Sequence, residues 1–410
     1  MPTARSGSDG ERVAEQRQHD RRPRRPVSAA HMAAIQALIA NGSLTSDWLA
    51  AYHAVPRHLF VPDTIWPGHA DGVCQGEAVN RRSDPAGWWH AVYSDVPLTT
   101  QWDDGEHTGD VRGTMPTSSN SQPTMVFSML AALDVDDGHR VLEVGSGTGW
   151  NAALLAHRLG SENVVTVEVD EQSAAGARRR LTRAGYSPTS VVGDGSDGFA
   201  GGAPFDRVIA TCSVRRVPYA WVAQSRPGAV IVTPWAPEYG GEAVVRLVVD
   251  DNGTASGRFV GSSAFMRLRQ QRSARPSSLE YLSGPWPADA VKSSTALSPE
   301  DVGSWPAMFA VGVQVPEAFP LTERYGDGTY TLWLHDTDIT SWATADWEPG
   351  RTAYEVYQSG PRNLWDDVEA AWRWWDGHGR PGFERFGLTV TPDHQTVWLD
   401  GPGNPVPLRG

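Results

Sequence analysis

The run Val141-Leu-Glu-Val-Gly-Ser-Gly-Thr-Gly149 sets an acid and three alternating glycines between an apolar stretch and the Ala/Leu-rich segment Trp150-Asn-Ala-Ala-Leu-Leu-Ala-His157. A strand that ends in a glycine turn and leads into a helix N-terminus brings backbone amides up to a polar or anionic ligand. The glycines read G-x-G-x-G; a dinucleotide fingerprint needs a glycine at position 150, where this chain has Trp150. Nineteen positions after Gly149, the apolar run Val164-Val-Thr-Val ends in Glu168. An acid at the C-terminal edge of the neighbouring strand can accept both hydroxyls of a ribose. Asp170 is an alternative, although it suits the cap of the next helix better. After a third apolar stretch comes Gly193-Asp-Gly195. There Asp194 can accept an adenine amino group and Gly195 lets backbone approach the ring; standing alone, the triplet reads as an Asp-Gly turn.

Taken in order, these elements form a set suited to S-adenosylmethionine (SAM): Glu143, Gly145, Ser146, Gly147 and Gly149 at the turn, then Glu168 with Val169, then Asp194 with Gly195. S-adenosylhomocysteine would be the product. The strand opened by Pro204-Phe-Asp206 ends at Thr211-Cys212-Ser213. It lacks the [DN]-P-P-[FYW] clamp with which methyltransferases of base amines hold their acceptor. That favours an acceptor that is already nucleophilic, such as a carboxylate, which is ionised at neutral pH and needs no general base.

The elements that must position these residues follow an alternating pattern. Helix entry is expected over 123–133, strands over 140–144, 163–169, 190–192, 205–211 and 228–233, and helices over 151–159, 171–184 and 219–224. Such alternation predicts an α/β fold with a parallel sheet and helices on both faces, Rossmann-like in layout. Upstream, 29–59 reads as two helices, with Met32, Ile35, Leu38 and Ile39 on one face and Trp48, Leu49, Tyr52 and Val55 on the next. Residues 63–120 read as irregular, substrate-side loops. Downstream, 243–249 and 256–265 form a hairpin turned by Asp251-Asn-Gly253.

The expected domains are a disordered Arg-rich tail at 1–27, a catalytic domain at 28–270 with a helical part at 28–62, and an α+β accessory domain at 277–410. More than half of the 18 tryptophans lie in the last, chiefly as its core. Its expected elements are a helix capped at its end by Gly377 and a hairpin of 386–390 with 396–400.

Composition excludes several classes. A net charge of −13 argues against a nucleic-acid surface, and the basic tail reads as solvated. No apolar run approaches membrane length. The two cysteines, Cys74 and Cys212, allow neither a disulfide scaffold nor a cysteine-ligated metal site. With no secretory signal visible, a cytoplasmic monomer without metal or membrane contact is expected.

Over roughly three-fifths of its length, residues 30–268, the chain resembles the protein-L-isoaspartate O-methyltransferases. The likeness rests on Val55-Pro-Arg57 with Phe60-Val-Pro62, Tyr93-Ser-Asp95 with Pro97-Leu98, Ser121-Gln-Pro123, the glycine turn, Gly193-Asp-Gly195, Pro204-Phe-Asp206, Val217-Pro218, and Gln224 with Pro227-Gly228. Ser-Gln-Pro before the cofactor strand is the most specific of these. The resemblance implies a class I SAM-dependent fold, a peptide carboxylate as acceptor, and a Ser121 hydroxyl beside that carboxylate, with Ser119 on the substrate side and Gln122 among the cofactor-binding residues. Ser121 with Pro123 is also a good helix start.

The chain departs from the family in the loop 102–116, in Ala264-Phe-Met-Arg-Leu-Arg269 where the family has V-P-L, and in the C-terminal segment, which has no counterpart in the compact repair enzymes. These departures resemble the subgroup that modifies ribosomally made peptides (lanthipeptides, graspetides, lasso peptides). Its members methylate an Asp in a cyclised precursor, and the ester collapses to an aspartimide. His107, His90 and Arg267 are candidates for gripping the peptide; a lone histidine in a polar loop is more often only solvated.

Overall fold

The computed structural model describes residues 29–69, 76–107 and 109–410. The expectations for the tail at 1–27 and for Cys74 lie outside these residues.

Helices α1 (Ala29–Ala40) and α2 (Ser46–Ala54) form as expected. The buried stripe of α1 is His31, Ile35 and Leu38, spaced i, i+4, i+7, whereas Met32 and Ile39 are exposed. His31 takes the place expected for an aliphatic residue because its ring lies 5.0 Å from that of Tyr52 and 5.3 Å from that of Tyr93.

Residues 63–120 are not irregular. They fold as β1 (Thr64–Pro67), β2 (Val79–Asn80), α3 (Pro85–Tyr93), β3 (Leu98–Trp102) and β4 (Pro116–Asn120), and the strands join in the order β2-β1-β3-β4. Strands this short cannot show an alternating pattern. They are held by tryptophan packing: Trp88 is buried with Ile65, Val92 and Leu98, and Trp66 meets Trp102 edge-on at 5.9 Å.

From α4 (Pro123–Leu133) onward the alternation appears almost residue for residue: β5 (Val141–Val144), α5 (Trp150–Leu159), β6 (Val164–Glu168), α6 (Glu171–Ala184), β7 (Thr189–Val192), β8 (Phe205–Ala210), α7 (Tyr219–Ala223) and β9 (Ser225–Trp235). The hairpin of β10 (Ala243–Val249) and β11 (Ala255–Ser262) follows. The C-terminal segment contains β12 (Val291–Thr295), α8 (Trp305–Gly312), β13 (Ala318–Arg324), β14 (Tyr330–Asp336), β15 (Trp342–Trp347), β16 (Tyr354–Ser359), α9 (Leu364–Gly377), β17 (Phe386–Val390) and β18 (Gln395–Leu399).

The main sheet runs β18-β17-β11-β10-β9-β8-β5-β6-β7. Its β5 to β9 pairings are parallel and the rest antiparallel. The chain moves outward from β5 to β7 and then returns to β8. At such a switch point, ligands bind outside the carboxyl ends of the strands. The glycine turn after β5 and Glu168 at the end of β6 both lie there.

Two expectations about the C-terminal segment are corrected. The hairpin β17–β18, assigned to the accessory domain, is an edge of the main sheet, since β17 pairs with β11. Gly377 lies inside α9, which is capped at His378, and the left-handed turn falls at Gly379. The remaining strands form a separate antiparallel sheet, β12-β16-β15-β14-β13. Phe309 on α8 joins this segment to the main core, with ring distances of 4.9 Å to Phe259, 5.8 Å to Trp235 and 5.4 Å to Phe386. Half of the C-terminal tryptophans are buried core residues, Trp342, Trp365, Trp375 and Trp398 among them.

Candidate functional site

A cavity of about 960 Å³ opens at the switch point, at the upper end of the usual range for a ligand cleft. The glycine turn, Glu168 and Val169 border it on one side, and Ser119, Ser121 and Gln122 on another. Segment 263–269 and Thr211-Cys212 complete the wall.

Each glycine of the turn answers a different steric demand. Gly145 has φ +93°, and a Cβ there would lie 2.7 Å from Thr211 Oγ1. A Cβ on Gly147 (φ +51°) would come within 3.2 Å of the Ser119 carbonyl, so this glycine admits the β4 strip beside the turn. Gly149 (φ +89°) faces Ala177 at 3.2 Å; it serves helix packing and does not line the cavity.

Glu143 is also a support. Its buried carboxyl accepts from Asn151 Nδ2 (2.8 Å) and Thr166 Oγ1 (2.5 Å), and it is not part of the cavity wall. Burial pushes its pKa up to about 7. Thr166 in turn meets Ser146 Oγ at 2.5 Å, tying the turn to β6. Gly145→Ala should weaken SAM binding at least tenfold in a calorimetric titration, because strain of about 1–3 kcal/mol falls on the turn itself. Unaltered affinity would mean the turn has slack that this packing does not provide.

Glu168 and Asp170 differ in what their carboxylates meet. The Glu168 carboxylate accepts N–H bonds from Gly147 (2.9 Å) and Asp170 (3.2 Å) and borders the cavity. Burial raises its pKa, and the two backbone bonds oppose that shift. An ionised carboxylate has about four acceptor positions, so two remain for a ligand. Asp170 caps α6 through the Ser173 N–H (2.7 Å) and accepts from Gln101 Nε2 (3.1 Å). Gly195 lines the cavity, whereas Asp194 accepts the Ser196 N–H at 2.8 Å and is not part of the wall.

The opposite wall is built on Arg57, which is fully buried. Its guanidinium donates to Asn120 Oδ1 (2.6 Å) and to the carbonyls of Val92, Ser94, Val96, Asn120 and Ser121. Asn120 Nδ2 then donates to Thr148 Oγ1 at 2.8 Å, linking this strip to the glycine turn. Helix α4 does not use Ser121 as its cap. Gln122 is the N-cap residue, and the Thr124 N–H is accepted by Asp95 (2.8 Å). The side chain of Gln122 also turns toward Asp95, at 3.4 Å. Ser121 is therefore not committed to the helix and stands on the cavity wall.

The peptide-gripping candidates fare unevenly. Arg267 lines the cavity, but its guanidinium donates to the carbonyls of Ala236 (2.8 Å) and Pro237 (3.4 Å). His107 lies off the cavity, 3.7 Å from Asp103, and His90 is exposed on α3. Within the loop 102–116, Asp104 instead pairs with Arg269 (2.9 Å) and Arg272 (2.8 Å), fastening the loop to the chain that follows β11.

Sequence reasoning missed Glu242 and Trp305, both on the cavity wall. The Gly240-Gly241 pair before Glu242 was the signal for a close approach there. Cys212 also lines the cavity; burial, reinforced by Glu168 and Glu242, pushes its thiol up to about 12. It stays protonated and is no nucleophile. Among the described residues there is no cluster of three or more potential metal-ligating side chains, and no helix long and apolar enough to cross a membrane.

The sequence pattern of the family described as protein-L-isoaspartate(D-aspartate) O-methyltransferase matches residues 77–273. A protein-L-isoaspartate O-methyltransferase of Ignicoccus hospitalis is 33% identical over 222 residues, which span 53% of this chain and 88% of that protein. One from Methanococcoides burtonii is 32% identical over 236 residues, covering 57% and 97% respectively. The chain belongs to the protein-L-isoaspartate O-methyltransferase family. This methyltransferase has the class I SAM-dependent fold, and its methyl donor is SAM.

A solved protein-L-isoaspartate O-methyltransferase superposes with a TM-score of 0.50 at 19% identity, over 90% of this chain and all of that one. That overlap in fold reaches into the C-terminal segment.

Proposed function

We propose that the protein transfers a methyl group to the carboxylate of an aspartate-derived residue in a peptide, and that Ser121 orients that carboxylate. The observation that carries the reading is the placement of Ser121. It stands on the cavity wall opposite the glycine turn, held there by Arg57 through its carbonyl and left out of the α4 cap.

The residues present fit the donor. Gly145 and Gly147 line the cavity with bare backbone, Glu168 has acceptor capacity for ribose hydroxyls, and Gly195 presents backbone where an adenine ring would lie. When bound, SAM supplies a methyl group on a sulfonium, a leaving group needing no protonation. The chain's own part is alignment and exclusion of water. The acceptor is ionised already, Ser121 donates one hydrogen bond to it, and Cys212, held as the thiol, does not compete for the methyl group.

Within this reading, we favour an Asp of a cyclised ribosomal peptide. The next backbone nitrogen attacks the ester carbonyl, methoxide departs and takes up that nitrogen's proton as methanol, and an aspartimide remains. Support comes from the anchored loop 102–116 and from Trp305, through which the C-terminal segment reaches the cavity. Repair of isoaspartate in damaged proteins is the second reading, favoured by what the relatives are named for.

Matched assays on a linear isoaspartyl peptide and on macrocyclic Asp peptides separate the two. Turnover of the isoaspartyl peptide alone would remove the natural-product reading. Ser121→Ala should lower kcat about ten- to a hundredfold, the worth of one hydrogen bond to a charged group, with SAM affinity within about twofold. Equal losses in both would undercut its orienting role.

A further inference from the structure

We infer that Trp305, with Glu242 and the segment 263–266 facing it, forms a subsite for an apolar side chain flanking the accepting carboxylate, so that the C-terminal segment supplies one wall of the peptide site. The inference rests on the carboxyl-methylation reading above.

Its basis is how closely the β9–β10 loop lies on α8. Gly240 and Gly241 have φ of +118° and +71°. A Cβ on Gly241 would stand 2.3 Å from the Phe309 nitrogen and 2.6 Å from the Trp305 carbonyl; one on Gly240 would stand 2.4 Å from Met308 Cε. Only glycines permit that approach, and it carries the first residue of α8 to the cavity. Trp305 Nε1 then donates to the Glu242 carbonyl at 3.2 Å, which fixes the indole. With its one donor satisfied, the indole has only apolar ring surface left to offer. It remains 42% exposed and borders the same cavity as Ser121, Phe265 and Met266.

Glu242 shapes the facing side. Its buried carboxyl accepts the Phe265 N–H at 2.7 Å, with the Ser213 and Ser263 hydroxyls beside it. That bond holds the edge of segment 263–266 toward the indole. The indole face with Ala264, Phe265 and Met266 offers an acidic side chain little in place of its hydration, so the subsite selects against acidic neighbours of the acceptor residue. Trp286 offers a contrast: it is similarly exposed, but it packs on Trp333, Trp342 and Tyr357 and lies away from the cavity.

The test uses the full chain and whichever acceptor series, isoaspartyl or macrocyclic Asp, it turns over. Peptides differ only in the residue before or after the acceptor, set to Phe, Gly or Glu. At one of the two positions, kcat/KM should favour Phe over Gly by about tenfold, within what apolar pocket contacts deliver, and Glu should be poorest. Trp305→Ala should reduce the Phe/Gly ratio below about twofold, and Trp305→Phe, which keeps a flat ring, should retain most of it. Thermal melting and SAM titration confirm that each variant is folded; should the alanine variant unfold, Trp305→Leu replaces it with the same expectation. Methylation with a flat ratio in the wild type, or a ratio untouched in the Ala or Leu variant, overturns the subsite alone. Failure to methylate any peptide overturns the carboxyl reading and the subsite with it.

Discussion

Replacing Arg57 with methionine should cost about 4 kcal/mol of folding stability and abolish methyl transfer in whatever fraction stays folded. The side chain is fully buried, and its three nitrogens between them satisfy Asn120 Oδ1 and five backbone carbonyls. Methionine matches the volume but donates nothing, so those carbonyls would be left in a water-poor interior, each at about 1–3 kcal/mol if none finds another partner. Two of them belong to Asn120 and Ser121, the residues that join the acceptor wall to the glycine turn. Lysine would rescue little, since a compact ammonium cannot span a fork of this width. Burial lowers the pKa of the guanidinium only to about 10, so it stays charged at neutral pH and the loss should not depend on pH there. Urea unfolding at neutral pH provides the measurement. A Met variant within about 1 kcal/mol of the wild type would mean the carbonyls re-pair, and Arg57 would lose its place as the keystone of this wall.

The sequence showed the half of the site that belongs to the sheet because the physics there is local. Val164 to Val167 read as a β-branched run, with Thr166 as its one polar member, since β6 is buried on both faces. Asp170 announced the start of α6, and the structure confirms the cap. Local pattern does not reveal which way a side chain turns. Glu143 enters the ligand set by type and spacing, yet its buried carboxyl is spent on Asn151 and Thr166; Asp194 gives one acceptor to the Ser196 N–H. The four-stranded sheet of 64–120 escaped notice because strands of two to five residues are held by Trp66, Trp88 and Trp102 rather than by alternation. Trp305 was beyond local reasoning altogether. It meets Glu242 across 63 residues, through an approach that depends on glycines in a different element.

Glu168→Ala should weaken SAM binding about a hundredfold, measured by calorimetry with S-adenosylhomocysteine as a second ligand. Two charge-assisted hydrogen bonds to ribose hydroxyls, at about 1.5–3 kcal/mol each, together exceed the roughly 2.7 kcal/mol that a hundredfold change represents, so a hundredfold is the lower bound of the expected loss. Part of the loss would be indirect, since Glu168 also accepts the Gly147 N–H and so holds the turn open. Asp170→Ala separates the two acids. Its carboxylate is engaged by Ser173 and Gln101, so the variant should lose about 1 kcal/mol of stability, as for a missing N-cap, and change SAM affinity no more than about threefold. If instead Asp170→Ala cost more affinity than Glu168→Ala, the donor's ribose would have to lie beyond the end of β6, toward α6. The acceptor strip at Ser119 and Ser121, aligned as it is with the glycine turn, would then be aimed at the wrong end of the donor. The paired titration thus tests both where the donor sits and which wall of the cavity receives the peptide.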